Sequence, residues 1–139
     1  MDNYELFKNI LDENKVHYNE GTLNSGERFF RVPQRINEHV VVISIIFYEK
    51  NIKVLTFNIA NISDEDKKNA CYALFNEISA KYSFFKVYIR SNGDVNVEGD
   101  VVLRIFDGEF NPKALMGFVV ANVKLTEEVY NEVSKILEG

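Results

Sequence analysis

The run HVVVISIIFY, His39 to Tyr48, is apolar on both of the faces a strand would present. Side chains alternate across a strand, so Val41, Ile43, Ile45 and Phe47 fall on one side and Val40, Val42, Ser44, Ile46 and Tyr48 on the other. A second run, Ile52 to Ile59, splits into Leu55, Phe57 and Ile59 against Ile52, Val54 and Thr56. Glu49-Lys50-Asn51 joins the two runs and is short enough for a hairpin. A later segment sets Phe85, Val87 and Ile89 against Phe84, Lys86, Tyr88 and Arg90. Half-exposed antiparallel sheets normally carry polar residues on one face. Either helices cover both sides of this sheet, or part of the second side is buried by another chain, as contiguous apolar patches usually are.

The remaining segments supply few helices for such covering. Tyr4, Phe7, Ile10 and Leu11 recur at helical spacing between Asp2, a capping residue with Glu5 three positions on, and Asn14. Val16 to Glu20 reads as a short polar edge strand, and Glu27 to Val32 as a strand that Pro33 ends or confines to an edge. Ser63 followed by Asp64, Glu65 and Asp66 starts a second helix, capped by the hydroxyl and running through Lys81. Phe85 to Arg90 and Asp94 to Ile105 return to strand character. Asn111-Pro112 begins a third helix, which either runs on through Val129, Val133, Ile136 and Leu137 or breaks near Lys124 and restarts at Thr126. Strands that come in hairpins predict one α+β domain over residues 1–139, with an antiparallel sheet of about five strands in the order α-βββ-α-ββ-α.

One stretch invites a chemical reading. RSNGDVNVEGD, Arg90 to Asp100, begins like a calcium loop, but its twelfth position counted from Asp94 is Ile105, which cannot ligate. Val95 and Val97 alternate with Asn96 and Glu98, and Asn92-Gly93 suits a type I′ turn, so a hairpin is expected. Gly99 then reads as a bulge or a point of close approach. His17 and His39 lack partners at metal-ligand spacing, and Cys71 falls on an apolar helical stripe. No nucleophile elbow, Walker loop or dinucleotide fingerprint occurs. The reading is of a chain without catalytic, cofactor or metal residues, and not an enzyme.

Composition narrows the partners. With a formal charge of -5 and no clustering of Lys and Arg, nucleic acid is not expected. The acidic N-terminal stretch lacks a signal peptide's basic region, the longest apolar run is far short of a membrane span, and a lone cysteine suits a reducing compartment. These point to a cytoplasmic protein that does not enter membranes.

The segment LFNEISAKYSFFKVYIRSNGDVNVEGDVVL, Leu74 to Leu103, resembles the YbjN-like family, a family of proposed bacterial sensory transduction regulators. The resemblance rests on Leu74, Asn76, Glu77, Phe85, Lys86, Gly93, Asp94 and Asp100, with Ser79 and Asn92 as mild departures where the family often has Asn and Asp. It implies a fold like that of type III secretion chaperones, small acidic proteins that dimerise and hold an extended partner segment. It assigns no functional residue.

Together these readings predict a non-enzymatic module, chaperone-like or regulatory, that binds a protein or peptide and forms a homodimer. The expected contact set is Val40, Val42, Ile46, Ile52, Val54, Phe84 and Tyr88, with strand addition at Glu27 to Val32 as one route. A small-molecule site for a signalling nucleotide is the alternative, if Arg28, Arg31, Lys86, Tyr88 and Arg90 converge. An enzyme without a recognisable motif is the third reading.

Overall fold

The computed structural model describes residues 2–102 and 110–139. Its elements are α1 (Asn3–Glu13), β1 (Asn19–Thr22), β2 (Arg28–Ile36), β3 (His39–Phe47), β4 (Asn51–Asn61), α2 (Glu65–Lys81), β5 (Phe85–Ile89), β6 (Asp94–Val102) and α3 (Pro112–Glu138). The strands form one antiparallel sheet in the order β1-β2-β3-β4-β6-β5. The architecture is the expected α+β one, with the polar segment near Glu20 adding a sixth strand. Leu103 and Ile105, expected to prolong β6, lie outside the described residues.

All three helices pack on the same face of the sheet. Tyr4, Phe7 and Leu11 of α1 meet Phe30, Val32, Ile43, Ile45, Ile52 and Val54, together with Leu115 and Val119 from the first half of α3. Cys71, Phe75 and Ile78 of α2 meet Phe85, Val87, Val95 and Val97, together with Leu125, Val129 and Val133 from the second half. The third helix is unbroken at Lys124 because its apolar positions stay in phase across both clusters. Midway along it, the buried Asn122 accepts hydrogen bonds from Thr56 (2.7 Å) and Thr126 (3.3 Å), which pins the helix to β4.

Local chemistry sets the element ends. Asp2 caps α1 and Asn111 caps α3, as their positions predict. For α2 the cap is Asp64 rather than Ser63: its carboxylate accepts from the N–H groups of Asp66 and Lys67 and places negative charge at the helix's positive end. Pro33 does not end β2. It sits opposite Val42, but β1 pairs only with Arg28 to Arg31, so at Pro33 the outer side of β2 is itself the edge. The β5–β6 loop is not type I′. Only Gly93 has positive φ (93°), and its N–H donates to the Arg90 carbonyl, giving a three-residue loop with glycine in the left-handed position. Ile62 imposes this shape, because a Cβ on Gly93 would lie 2.5 Å from the Ile62 carbonyl oxygen.

The small strand β1 is held by α1. The Tyr4 hydroxyl donates to Glu20 at 2.6 Å and the Lys8 ammonium lies 3.0 Å from it. These bonds, Tyr4's first, hold the Glu20 carboxyl below the usual carboxylate range. A carboxyl depressed in the folded state contributes stability above its unfolded pKa and loses it as pH falls through the folded value. The thermal midpoint is therefore expected to fall more steeply below about pH 4.3 in the natural protein than in Glu20→Gln, the two curves converging in acid. Parallel pH curves would show that this clasp adds nothing to stability.

Candidate interaction surface

With the helices on one side, the opposite face of the sheet has no covering layer among the described residues. Strand alternation puts Phe29, Arg31, Pro33 and Arg35 of β2 on it, then Val40, Val42, Ser44 and Ile46 of β3. Beyond them come Lys53, Leu55 and Phe57 of β4, Asn96, Glu98 and Asp100 of β6, and Lys86 and Tyr88 of β5. Its centre is apolar: Val40, Val42 and Phe57 are 51%, 42% and 48% exposed. Leu55 is buried although no helix among the described residues lies over it, between Ser44 on one neighbouring strand and Glu98 on the other.

A bulge in β4 shapes this centre. From Thr56 to Ala60 the strand advances four residues while β6 advances two, from Val97 to Val95. The surplus is taken up around Asn58, which adopts φ 55° and donates its N–H to the Asn96 side chain at 2.8 Å. Asparagine tolerates the left-handed region better than most residues. Phe57, immediately before it, is left facing outward. At the β1 side, Phe29 lies over Gly21, where a Cβ would come within 2.5 Å of the ring, and the Arg31 guanidinium covers that ring from 4.5 Å.

Charge is unevenly matched across the face. Glu98 is held between Lys53 (3.5 Å) and Lys86 (3.2 Å), and Asp100 accepts from Asn51 at 2.8 Å. Arg31 and Arg35, both exposed, have no carboxylate partner among the described residues.

The structure brings together part of the predicted contact set. Val40, Val42, Ile46 and Tyr88 share the open face. Ile52 and Val54 do not: both are 0% exposed beneath α1 and α3. The loop after β3 contains only Glu49 and Lys50, because Tyr48 already bonds to Asn51 and Phe47 pairs with Ile52. A two-residue loop reverses the parity a three-residue loop would give, so Leu55 and Phe57 take the places expected for Ile52 and Val54. Phe84 stands before β5 with its ring 6.3 Å from Phe118 of α3, at the margin of the helix layer rather than on the open face. Glu27 to Val32 is likewise no free edge, since β1 covers most of it; β5 is.

The basic and aromatic residues of the small-molecule alternative are dispersed. Arg28 points to the helix side, 3.6 Å over the Tyr4 ring and paired with Glu5 at 2.9 Å. Arg31 on β2 and Lys86, Tyr88 and Arg90 at β5 are separated by four strand steps, about 19 Å. Shallow cavities lie among the described residues at two places. One, of about 270 Å³, lies by Tyr4, Arg28 and Phe47. The other, of about 320 Å³, lies between α2 and the β5 edge, lined by Tyr72, Phe75, Asn76, Ser79, Val87 and Ile89. Neither contains His17 or His39; the His39 ring stacks on Tyr130 at 5.3 Å. Burial pushes the Cys71 thiol up, away from the thiolate a nucleophile needs. Among the described residues no three His, Cys, Asp or Glu side chains are grouped to hold a metal, and no helix is long and apolar enough to cross a membrane.

An antiparallel sheet backed by three helices on one side, with no covering layer on the other among the described residues, defines an α+β protein. Over residues 3–135 the sequence matches a family model, YbjN, described as "Putative bacterial sensory transduction regulator", and the chain belongs to this family. Among solved structures it is similar to YbjN from E. coli, described as "a putative transcription regulator", with a TM-score of 0.68 at 12% identity over 96% of this chain and 93% of that one. It is also similar to an uncharacterized protein from Methanothermobacter thermautotrophicus, with a TM-score of 0.68 at 16% identity over 94% of this chain and 96% of that one. At such identities the likeness is one of fold. No curated protein matches the sequence.

Proposed function

We propose that this protein is a cytoplasmic, non-catalytic regulatory module that acts by binding a protein or peptide partner through the uncovered face of its sheet, and that it also self-associates. One observation carries the reading: Val40, Val42 and Phe57, three exposed apolar side chains, are neighbours on a face that no helix shields among the described residues. The family's regulatory description supports the same reading by analogy. Self-association is assigned to the β5 edge, which has no further strand neighbour and is flanked by Phe84, 73% exposed.

The test is affinity capture from cells of the source species with the natural protein and with Val42→Asp/Phe57→Asp. Both substituted side chains already face solvent, so the variant is expected to keep its fold and thermal midpoint while losing the captured partner. Capture of the same partner in undiminished amount by the folded variant would remove the open face from the function.

A further inference from the structure

Within the open face, one corner has a composition of its own. Arg35 lies opposite Val40, Pro33 opposite Val42 and Arg31 opposite Ser44. The Ile43–Thr56 pair brings Phe57 beside Val42 on the third strand. Three exposed apolar side chains are thus bordered along β2 by two exposed guanidinium groups, four residues or about 13 Å apart. Past Arg31 that border has no strand outside it, so the corner is open at its side as well as its top.

Among the described residues no carboxylate pairs with these arginines. On this face Glu98 is held by two lysines and Asp100 by Asn51, both carboxylates three strand steps from β2. Guanidinium groups favour two-pronged bonds to planar carboxylates. Resting on the reading of the open face as a partner surface, we infer that the segment docking on this corner is acidic: it places carboxylates on Arg31 and Arg35 and at least one large apolar side chain over Val40, Val42 and Phe57. A second copy laid symmetrically on the same corner would set arginine against arginine, which disfavours it. Single-stranded nucleic acid would want a row of aromatic platforms, and here one exposed phenylalanine, Phe57, stands among valines while the Phe29 ring is covered by Arg31.

Random peptides of about twelve residues displayed on phage, selected on the natural protein and counter-selected on Arg31→Glu/Arg35→Glu, test this directly. Should that variant not reproduce the natural circular-dichroism spectrum, Arg31→Gln/Arg35→Gln replaces it. The expected survivors are net-negative sequences carrying Phe, Tyr, Leu, Ile or Val. The best of them, made synthetically, should bind about tenfold more weakly to the double variant, and more weakly again between about 0.1 and 0.5 M NaCl. No enrichment, or survivors that are neutral or basic, overturns the inference. A labelled oligo-dT that binds as tightly and is lost in the double variant overturns it in favour of nucleic acid. A sedimentation dimer abolished by the double variant overturns it in favour of a second copy. Neutral peptides that still need Val42 and Phe57 would end the charge argument alone, whereas undiminished capture by Val42→Asp/Phe57→Asp ends the underlying reading.

Discussion

Val54→Asp is expected to leave the protein unfolded at neutral pH, while Val42→Asp, one strand away, is expected to leave it folded. The two positions look alike in the sequence, each a valine inside a β-branched run. In the fold Val54 is wholly buried among Phe7, Leu11, Ile43 and Ile45, whereas Val42 is 42% exposed on the bare face. A carboxylate at position 54 would be an unpaired charge in an apolar layer, costing about 3–5 kcal/mol beyond the lost burial of the valine. Domains of this kind hold about 5–15 kcal/mol in total. The substitution removes most of that margin, and protonating the new carboxyl offsets only part of the loss. Circular dichroism with thermal melting separates the outcomes. If Val54→Asp melts within a few degrees of the natural protein, helices do not cover that side of β4 and the division of the sheet into a covered and a bare face is wrong.

That contrast also marks where sequence stops specifying this structure. The strands, the capping residues Asp2 and Asn111, and the excess of apolar sheet surface are all legible, because each is a local pattern of two or three residue types. Which face a residue occupies is not local. It follows from whether the β3–β4 loop closes on two residues or three, and Glu49-Lys50-Asn51 carries no Gly to announce the choice. Asn58 is the signal that could have been read: an asparagine between Phe57 and Ile59 breaks the alternation, and a left-handed bulge there explains why Phe57 and Ile59 end on opposite faces. The same limit hid the buried bond between Thr56 and Asn122, since a polar pair 66 positions apart leaves no trace in either neighbourhood. Of the two roles expected for Pro33 the edge is the one observed, because β2 is an interior strand for its first half and an edge for its second. The candidate surface was therefore half legible. Val40, Val42, Ile46 and Tyr88 follow from strand periodicity, and Leu55, Phe57 and the arginine border needed the register.

Gly99 tests the other side of the sheet, where α3 must approach closely. Its pairing runs without a shift, opposite Val54 on β4 and Phe85 on β5, so of the two roles expected for it the structure selects close approach over a bulge. A Cβ at this position would lie 2.5 Å from Phe85 Cδ1 and 3.0 Å from Phe118 Cζ, in the space where those two rings meet with centroids 4.5 Å apart. Phe85 is buried and cannot swing outward without uncovering the cluster around Val87, Val97 and Leu125. Gly99→Ala is accordingly expected to cost about 1–3 kcal/mol by overpacking, and Gly99→Val, which adds two further methyl groups in the same space, more than Gly99→Ala. A strand ordinarily gains when glycine is replaced by a β-branched residue, so the sign of the effect distinguishes the contact from intrinsic propensity. The cause can be isolated with a cycle. Phe85→Leu shortens the obstructing ring, and residues in direct contact couple by about 0.5–3 kcal/mol, so Gly99→Ala should be less damaging in the Phe85→Leu background than alone. Additive losses would mean that the glycine is required for something other than room for the two rings, and the docking of α3 on β6 would need a different account.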